Sequence, residues 1–283
     1  MNQHYKIMRY DLRSQYCILW FSPLNALTEE YVKTLYNPLL SSLKSYVTCY
    51  LVQMSLFETE DIQAEIKAAV ESLAEELAGK KILLSGWCSG GVLALKGAEI
   101  LENCGITIKQ ILMLDTFEPE YIMHVQKDKR LSLDGLLFPA YYIHSFLLQM
   151  DCQQPYFKSN QCLRDIHELR DEEVKDYVYD HLKYLGFSKE MVIRFLFRNI
   201  ELNLNVDIES TGLLNNISLK KSRCGVMLIK AEREDRDTDD YLGWKNLLGE
   251  QISLRQSAYT HDTMLLEENV AGIVQVVEEI LEG

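Results

Sequence analysis

Residues 85–91 read SGWCSGG, and how this stretch is placed decides the fold. The apolar run Ile82, Leu83, Leu84 precedes it, and Val92, Leu93, Ala94, Leu95 follow with helical character. A buried strand running straight into a helix needs a sharp turn, with one side chain exposed at its tip. In the frame G-x-nucleophile-x-G that side chain is Cys88. Gly86 and Gly90 stand two residues to either side and lack the Cβ atoms that would collide in such a turn. Gly91 lets the helix pack close to the sheet. Taking Ser89 as the tip residue would put Trp87 where a glycine is required.

Outward from the turn, short β-rich runs alternate with longer helical patterns. CILWF (17–21), VTCYLVQM (47–54), KILLSGW (81–87) and IKQILMLD (108–115) read as strands. Residues 28–45, 61–79 and 89–105 read as the helices between them, the last stopped by Asn103 and Gly105. This alternation predicts βαβ units and a parallel sheet covered on both faces. From 116 to 222 the pattern turns helical without convincing strands, so this stretch reads as an insertion. The sheet resumes with CGVMLIKAE (224–232) and QISLRQSA (251–258), and 263–283 reads as a closing helix. The expected organisation is a core over 1–115, a helical insertion over 116–222 and a second core segment over 223–283.

A nucleophile needs a base, and the base an orienting acid. Asp115 ends the strand that follows the Cys88 helix, so parallel topology puts it on the same sheet edge as the turn. His261 lies between the last strand and the last helix, on that edge again. A second source of acid is the loop EREDRDTDD (232–240), where Asp235 and Asp237 are alternatives to Asp115. A thiol at the start of a helix feels the positive end of the helix dipole, which favours thiolate. Acyl transfer also needs two backbone N–H groups aimed at the developing oxyanion. Ser89, just after the tip, offers one; Leu24, in the loop FSPLNAL after the first of these strands, offers the other.

The composition excludes several classes. A formal net charge of −13 over 283 residues argues against a nucleic-acid backbone as partner. An acidic partner would have to dock on a local patch such as Lys127, Lys129 and Arg130, which otherwise reads as a solvated loop. Seven cysteines with no C-x-x-C spacing suggest neither a disulfide framework nor a zinc site, so no metal is expected and a reducing compartment fits. The N-terminal residues lack an apolar signal region, and no stretch approaches the ~18 apolar residues of a membrane span. The expected location is cytoplasmic, with no membrane partner.

Taken together these residues resemble the thioesterase domains of non-ribosomal peptide and polyketide synthases, members of the α/β-hydrolase superfamily. The likeness spans almost the whole chain. It rests on WFSPLN as the oxyanion loop, GWCSGG as the elbow, MLDTFEP as the acid-bearing strand end, HDTML as the histidine loop, and LGWKNLL (242–248). It implies the α/β-hydrolase fold: a mostly parallel sheet with helices on both faces and a helical lid at 116–222. It further implies an acyl or peptidyl chain presented on the phosphopantetheine arm of a carrier protein, moved to Cys88 and released by water or an internal nucleophile, with no bound cofactor. An editing thioesterase that clears stalled acyl groups, or a non-catalytic acyl-binding protein on the same fold, are the alternatives. Most members carry serine at the tip, so Cys88 is a departure. Lid aromatic residues, Phe138, Tyr141, Tyr142 and Phe146 among them, are candidates to line an acyl pocket.

Overall fold

Seven strands form one sheet in the computed structural model, which describes residues 5–10, 14–24, 29–43, 47–54, 61–122, 143, 146–147, 150–151, 154–157, 160–232, 239–261 and 263–283. The strands are β1 (Tyr5–Tyr10), β2 (Tyr16–Phe21), β3 (Val47–Met54), β4 (Lys81–Trp87), β5 (Ile108–Leu114), β6 (Gly225–Lys230) and β7 (Ile252–Gln256). Their order across the sheet is β1-β3-β2-β4-β5-β6-β7. Every neighbouring pair is parallel except β1 with β3. All of β3, and all but the first residue of β2 and of β4, are buried, as strands covered on both faces require.

The helices follow the side-chain alternation of these strands. Helix α1 (Glu29–Leu43) shares one apolar cluster with the C-terminal helix Ala271–Glu282, over Ile18, Trp20, Leu51 and Leu83. Residues of opposite parity, Phe21 and Leu84, lie close to Gly97 in α4 (Gly90–Asn103), which covers the other face beside α2 (Ile62–Glu71).

Three elements depart from the sequence reading. The edge strand β1 was not anticipated: its positions are half-buried or exposed, none fully buried, and it pairs on one side only, so it carries no apolar run. The helix expected over 61–79 is broken into α2 and a short α3 (Ala74–Leu77). Asp61 caps α2 by accepting from Gln63 N and Ala64 N, and at its other end the Ser72 hydroxyl donates to the Ala69 carbonyl, competing with the helical ladder. The closing helix begins at Ala271 rather than 263, because residues 263–270 are held in turns.

The chain divides into two units, Met1–Val125 with Glu209–Gly283, and Gln126–Ile208. The second is narrower than the insertion expected over 116–222. Bonds to the sheet region explain why the flanks group with the first: Trp244 Nε1 donates to the Thr116 carbonyl, Glu118 N to the Leu242 carbonyl, and the Ser222 hydroxyl to Glu102. The second unit has its own apolar core, drawn from α5 (Asn160–His167), α6 (Asp171–Leu182), the first part of α7 (Lys189–Asn215), and residues such as Ile143 and Phe157. The short α8 (Lys245–Leu248) precedes β7, and the C-terminal helix is α9. No described helix is long and apolar enough to cross a membrane.

Candidate active site

Cys88 occupies the tip of the turn between β4 and α4 with φ of 56°, in the left-handed region. For a residue with a Cβ this costs roughly 1–2 kcal/mol. The surrounding backbone holds it there: Cys88 N donates to the Leu114 carbonyl at 3.0 Å, and the Cys88 carbonyl accepts from Gly91 N at 3.2 Å. The glycines are steric requirements. A Cβ on Gly86 would collide with the Gly90 carbonyl, one on Gly90 with the Phe21 carbonyl, and one on Gly91 with the Thr116 side chain. The sulfur-bearing residue is left half-buried at the sheet edge.

Asp115 follows β5, is fully buried, and also has positive φ, 43°. Its N–H donates to the Ile229 carbonyl at 2.8 Å, and its Oδ1 accepts from Ala231 N at 2.9 Å. Oδ2 is thereby directed to His261 Nδ1, 2.7 Å away. His261 sits in a loop shaped by its own neighbours. The Thr260 and Thr263 hydroxyls bond at 2.9 Å, Met264 N donates to the Thr260 carbonyl, and Asn269 Nδ2 donates to the Thr263 carbonyl. The imidazole is hydrogen-bonded to Asp115, and Cys88 lies near enough to act on its charge. Asp115 and His261, both picked out from the sequence, are thus brought together, and Cys88 stands at the neighbouring strand end.

Burial alone would lower the His261 pKa. The interaction with Cys88, the hydrogen bond that His261 donates to Asp115, and the Asp115 charge oppose it and raise it to about 10. The arrangement therefore favours the protonated imidazole. Trp87 adds a contact the sequence did not announce: its indole stacks on the His261 ring, centroids 4.6 Å apart and planes 28° from parallel. An aromatic face so placed favours the cationic ring and fixes its orientation.

Of the alternative acids, Asp235 and Asp237 lie outside the described residues. Asp239 and Asp240, in the same loop, are engaged elsewhere: Asp239 Oδ2 accepts from Tyr241 N and Gly243 N, and Asp240 pairs with Lys230. Leu24 N, the expected second oxyanion donor, points at the elbow but donates to the Ser89 hydroxyl oxygen at 2.8 Å. Nothing in the sequence signals this bond, since it joins residues from two strand ends. The segment LGWKNLL holds Thr116, next to Asp115, through the buried Trp244 indole, whose Nε1 donates to the Thr116 carbonyl at 2.7 Å. Phe138, Tyr141 and Tyr142 fall outside the described residues, as do Lys127, Lys129 and Arg130. Phe146 is buried in the core of the helical unit. Among the described residues no cluster of His, Cys, Asp and Glu could hold a metal.

Other thiols differ in environment. Burial pushes Cys17 up to about 12 and Cys162 up to about 11, and raises Cys224.

Comparison with solved structures places this architecture. The thioesterase domain of NocB, in covalent complex with a fluorophosphonate nocardicin G analog, aligns over 97% of this chain and 99% of its own, with a TM-score of 0.55 and 15% identity. The surfactin thioesterase domain SrfTE aligns over 99% of this chain and 96% of its own, with a TM-score of 0.54 and 17% identity. Holo-AB3403, a four-domain nonribosomal peptide synthetase, aligns over 97% of this chain with a TM-score of 0.57 and 20% identity; the match spans 20% of that synthetase. The chain has the α/β-hydrolase fold of these thioesterase domains. Among curated proteins, Thioesterase pynI of Aspergillus niger is 43% identical over 56 residues, which is 19% of this chain and 20% of that relative. No protein-family model matches the chain.

Proposed function

We propose that the chain is a thioesterase that takes an acyl or peptidyl group from the phosphopantetheine thioester of a carrier protein onto Cys88. Hydrolysis or cyclisation then releases it, in natural-product biosynthesis. One observation carries the reading: His261 Nδ1 is hydrogen-bonded at 2.7 Å to the buried Asp115 carboxylate, and the elbow residue Cys88 acts on the same ring. That is the order of nucleophile, base and orienting acid that acyl transfer requires. The fold shared with thioesterase domains of peptide synthetases, and the short likeness to Thioesterase pynI, support the substrate class.

In this reading the Cys88 thiolate attacks the thioester carbonyl carbon, and Asp115 fixes the His261 tautomer. His261, holding its proton beside the sulfur, gives it to the departing thiolate and later accepts one from the incoming nucleophile. The cysteine has an energetic consequence. Exchange between two thioesters is nearly isoenergetic, so the acyl-enzyme keeps the activation that an oxoester on serine would surrender, which suits a demanding release step such as amide or strained lactone formation.

The test is intact-protein mass spectrometry after incubation with a panel of acyl N-acetylcysteamine thioesters. An acyl adduct that maps to Cys88, is stripped by neutral hydroxylamine and is absent in Cys88→Ala supports the reading. No adduct across the panel, or one that persists in Cys88→Ala, overturns it.

A further inference from the structure

An N–H group has one proton to give, and the Leu24 N–H gives its proton to the Ser89 Oγ at 2.8 Å. An oxyanion formed at Cys88 would therefore meet only one of the two backbone donors that the elbow and the loop after β2 were expected to offer. The Ser89 hydroxyl keeps a proton of its own, for which there is no acceptor among the described residues. Ser89 is half-buried, directly follows the nucleophile, and has helical φ and ψ of −58° and −23°, so its N–H opens the helix at the elbow. The N–H and O–H of one serine leave from atoms close enough to converge on a single oxygen. Accepting from Leu24 also polarises the hydroxyl, which strengthens it as a donor.

We infer that the Ser89 hydroxyl is itself an oxyanion donor, so that the hole is built from the N–H and O–H of one residue while Leu24 N–H holds the hydroxyl in place. This rests on the acyl-transfer reading above. In the step concerned, Cys88 Sγ forms a bond to the thioester carbonyl carbon and the carbonyl π pair moves onto oxygen. The two Ser89 donors stabilise that charge. The pair then returns as the bond to the departing sulfur breaks, and that sulfur takes the proton from His261.

Two reactions at the same sulfur separate this role from others. Alkylation by iodoacetamide displaces iodide and forms no oxyanion, whereas acylation by an acyl N-acetylcysteamine thioester must form one. In Ser89→Ala the acylation rate at saturating thioester is expected to fall about 100-fold, in line with the loss of one oxyanion donor. KM and the alkylation rate of Cys88 stay at their wild-type values. Acylation as fast as wild type, or faster, overturns the inference, because the freed Leu24 N–H then serves the oxyanion directly. A parallel fall in both reactions also overturns it, since the hydroxyl would then only hold the elbow in shape. A wild-type Cys88 that alkylates but is acylated by no thioester removes the acyl-transfer reading itself, and the inference with it.

Discussion

His261 keeps its proton against burial because Cys88 lies beside it and the Asp115 carboxylate accepts from it. Its pKa is raised from 6.5 to about 10, so it binds a proton more tightly folded than unfolded. The sign follows from linkage: the stability this contributes is complete below about 6.5 and is lost as pH rises through about 10. In His261→Gln, a neutral replacement, the deficit in unfolding free energy relative to wild type should shrink steadily across that window in chemical denaturation. A deficit that stays constant, or grows, would show that His261 is not protonated in the native state.

At the scale of elements, the site is assembled by strand ends held in register. β5 pairs with β4 on one side and β6 on the other, so Asp115 N reaches the Ile229 carbonyl and its side chain reaches Ala231 N, just past β6. The turn before α8 contributes through Trp244, fully buried, whose indole holds the Thr116 carbonyl. In Trp244→Phe that carbonyl loses its partner and the smaller ring leaves a gap beside it. A destabilisation of about 2 kcal/mol is expected in urea denaturation. A change below about 0.5 kcal/mol, the size typical of surface substitutions, would mean that the indole bond does not anchor this strand end.

At the scale of the whole molecule, the sheet with its flanking helices and the unit Gln126–Ile208 are separate compact units, each with its own core. Leu196 is fully buried in the core of the helical unit. Leu196→Ala should cost about 2–5 kcal/mol of that unit's stability, read by hydrogen exchange of its amides, while the alkylation rate of Cys88 stays at the wild-type value. Equal loss of protection across β4 and β5 would show that the two units unfold together.

The sequence by itself determined the parallel core, because strands buried on both faces must be apolar throughout and the segments between them carried helical periodicity. It also placed Cys88, Asp115 and His261 on one sheet edge, since in a parallel sheet every strand followed by a crossover presents its C-terminal end on the same side. The edge strand β1 escaped it, half-exposed and bonded on one side only, and so did the late start of α9, where hydroxyl and amide bonds among Thr260, Thr263 and Asn269 override an apolar pattern. Only the tertiary structure decided the contacts between residues distant in sequence. It decided that Asp115, among several acids, faces His261, that Trp87 stacks on the imidazole, and that Ser89 takes the Leu24 N–H. Composition and periodicity fix which face of an element is buried; the direction of a single hydrogen bond depends on how separate strand ends are brought within a few ångströms of one another.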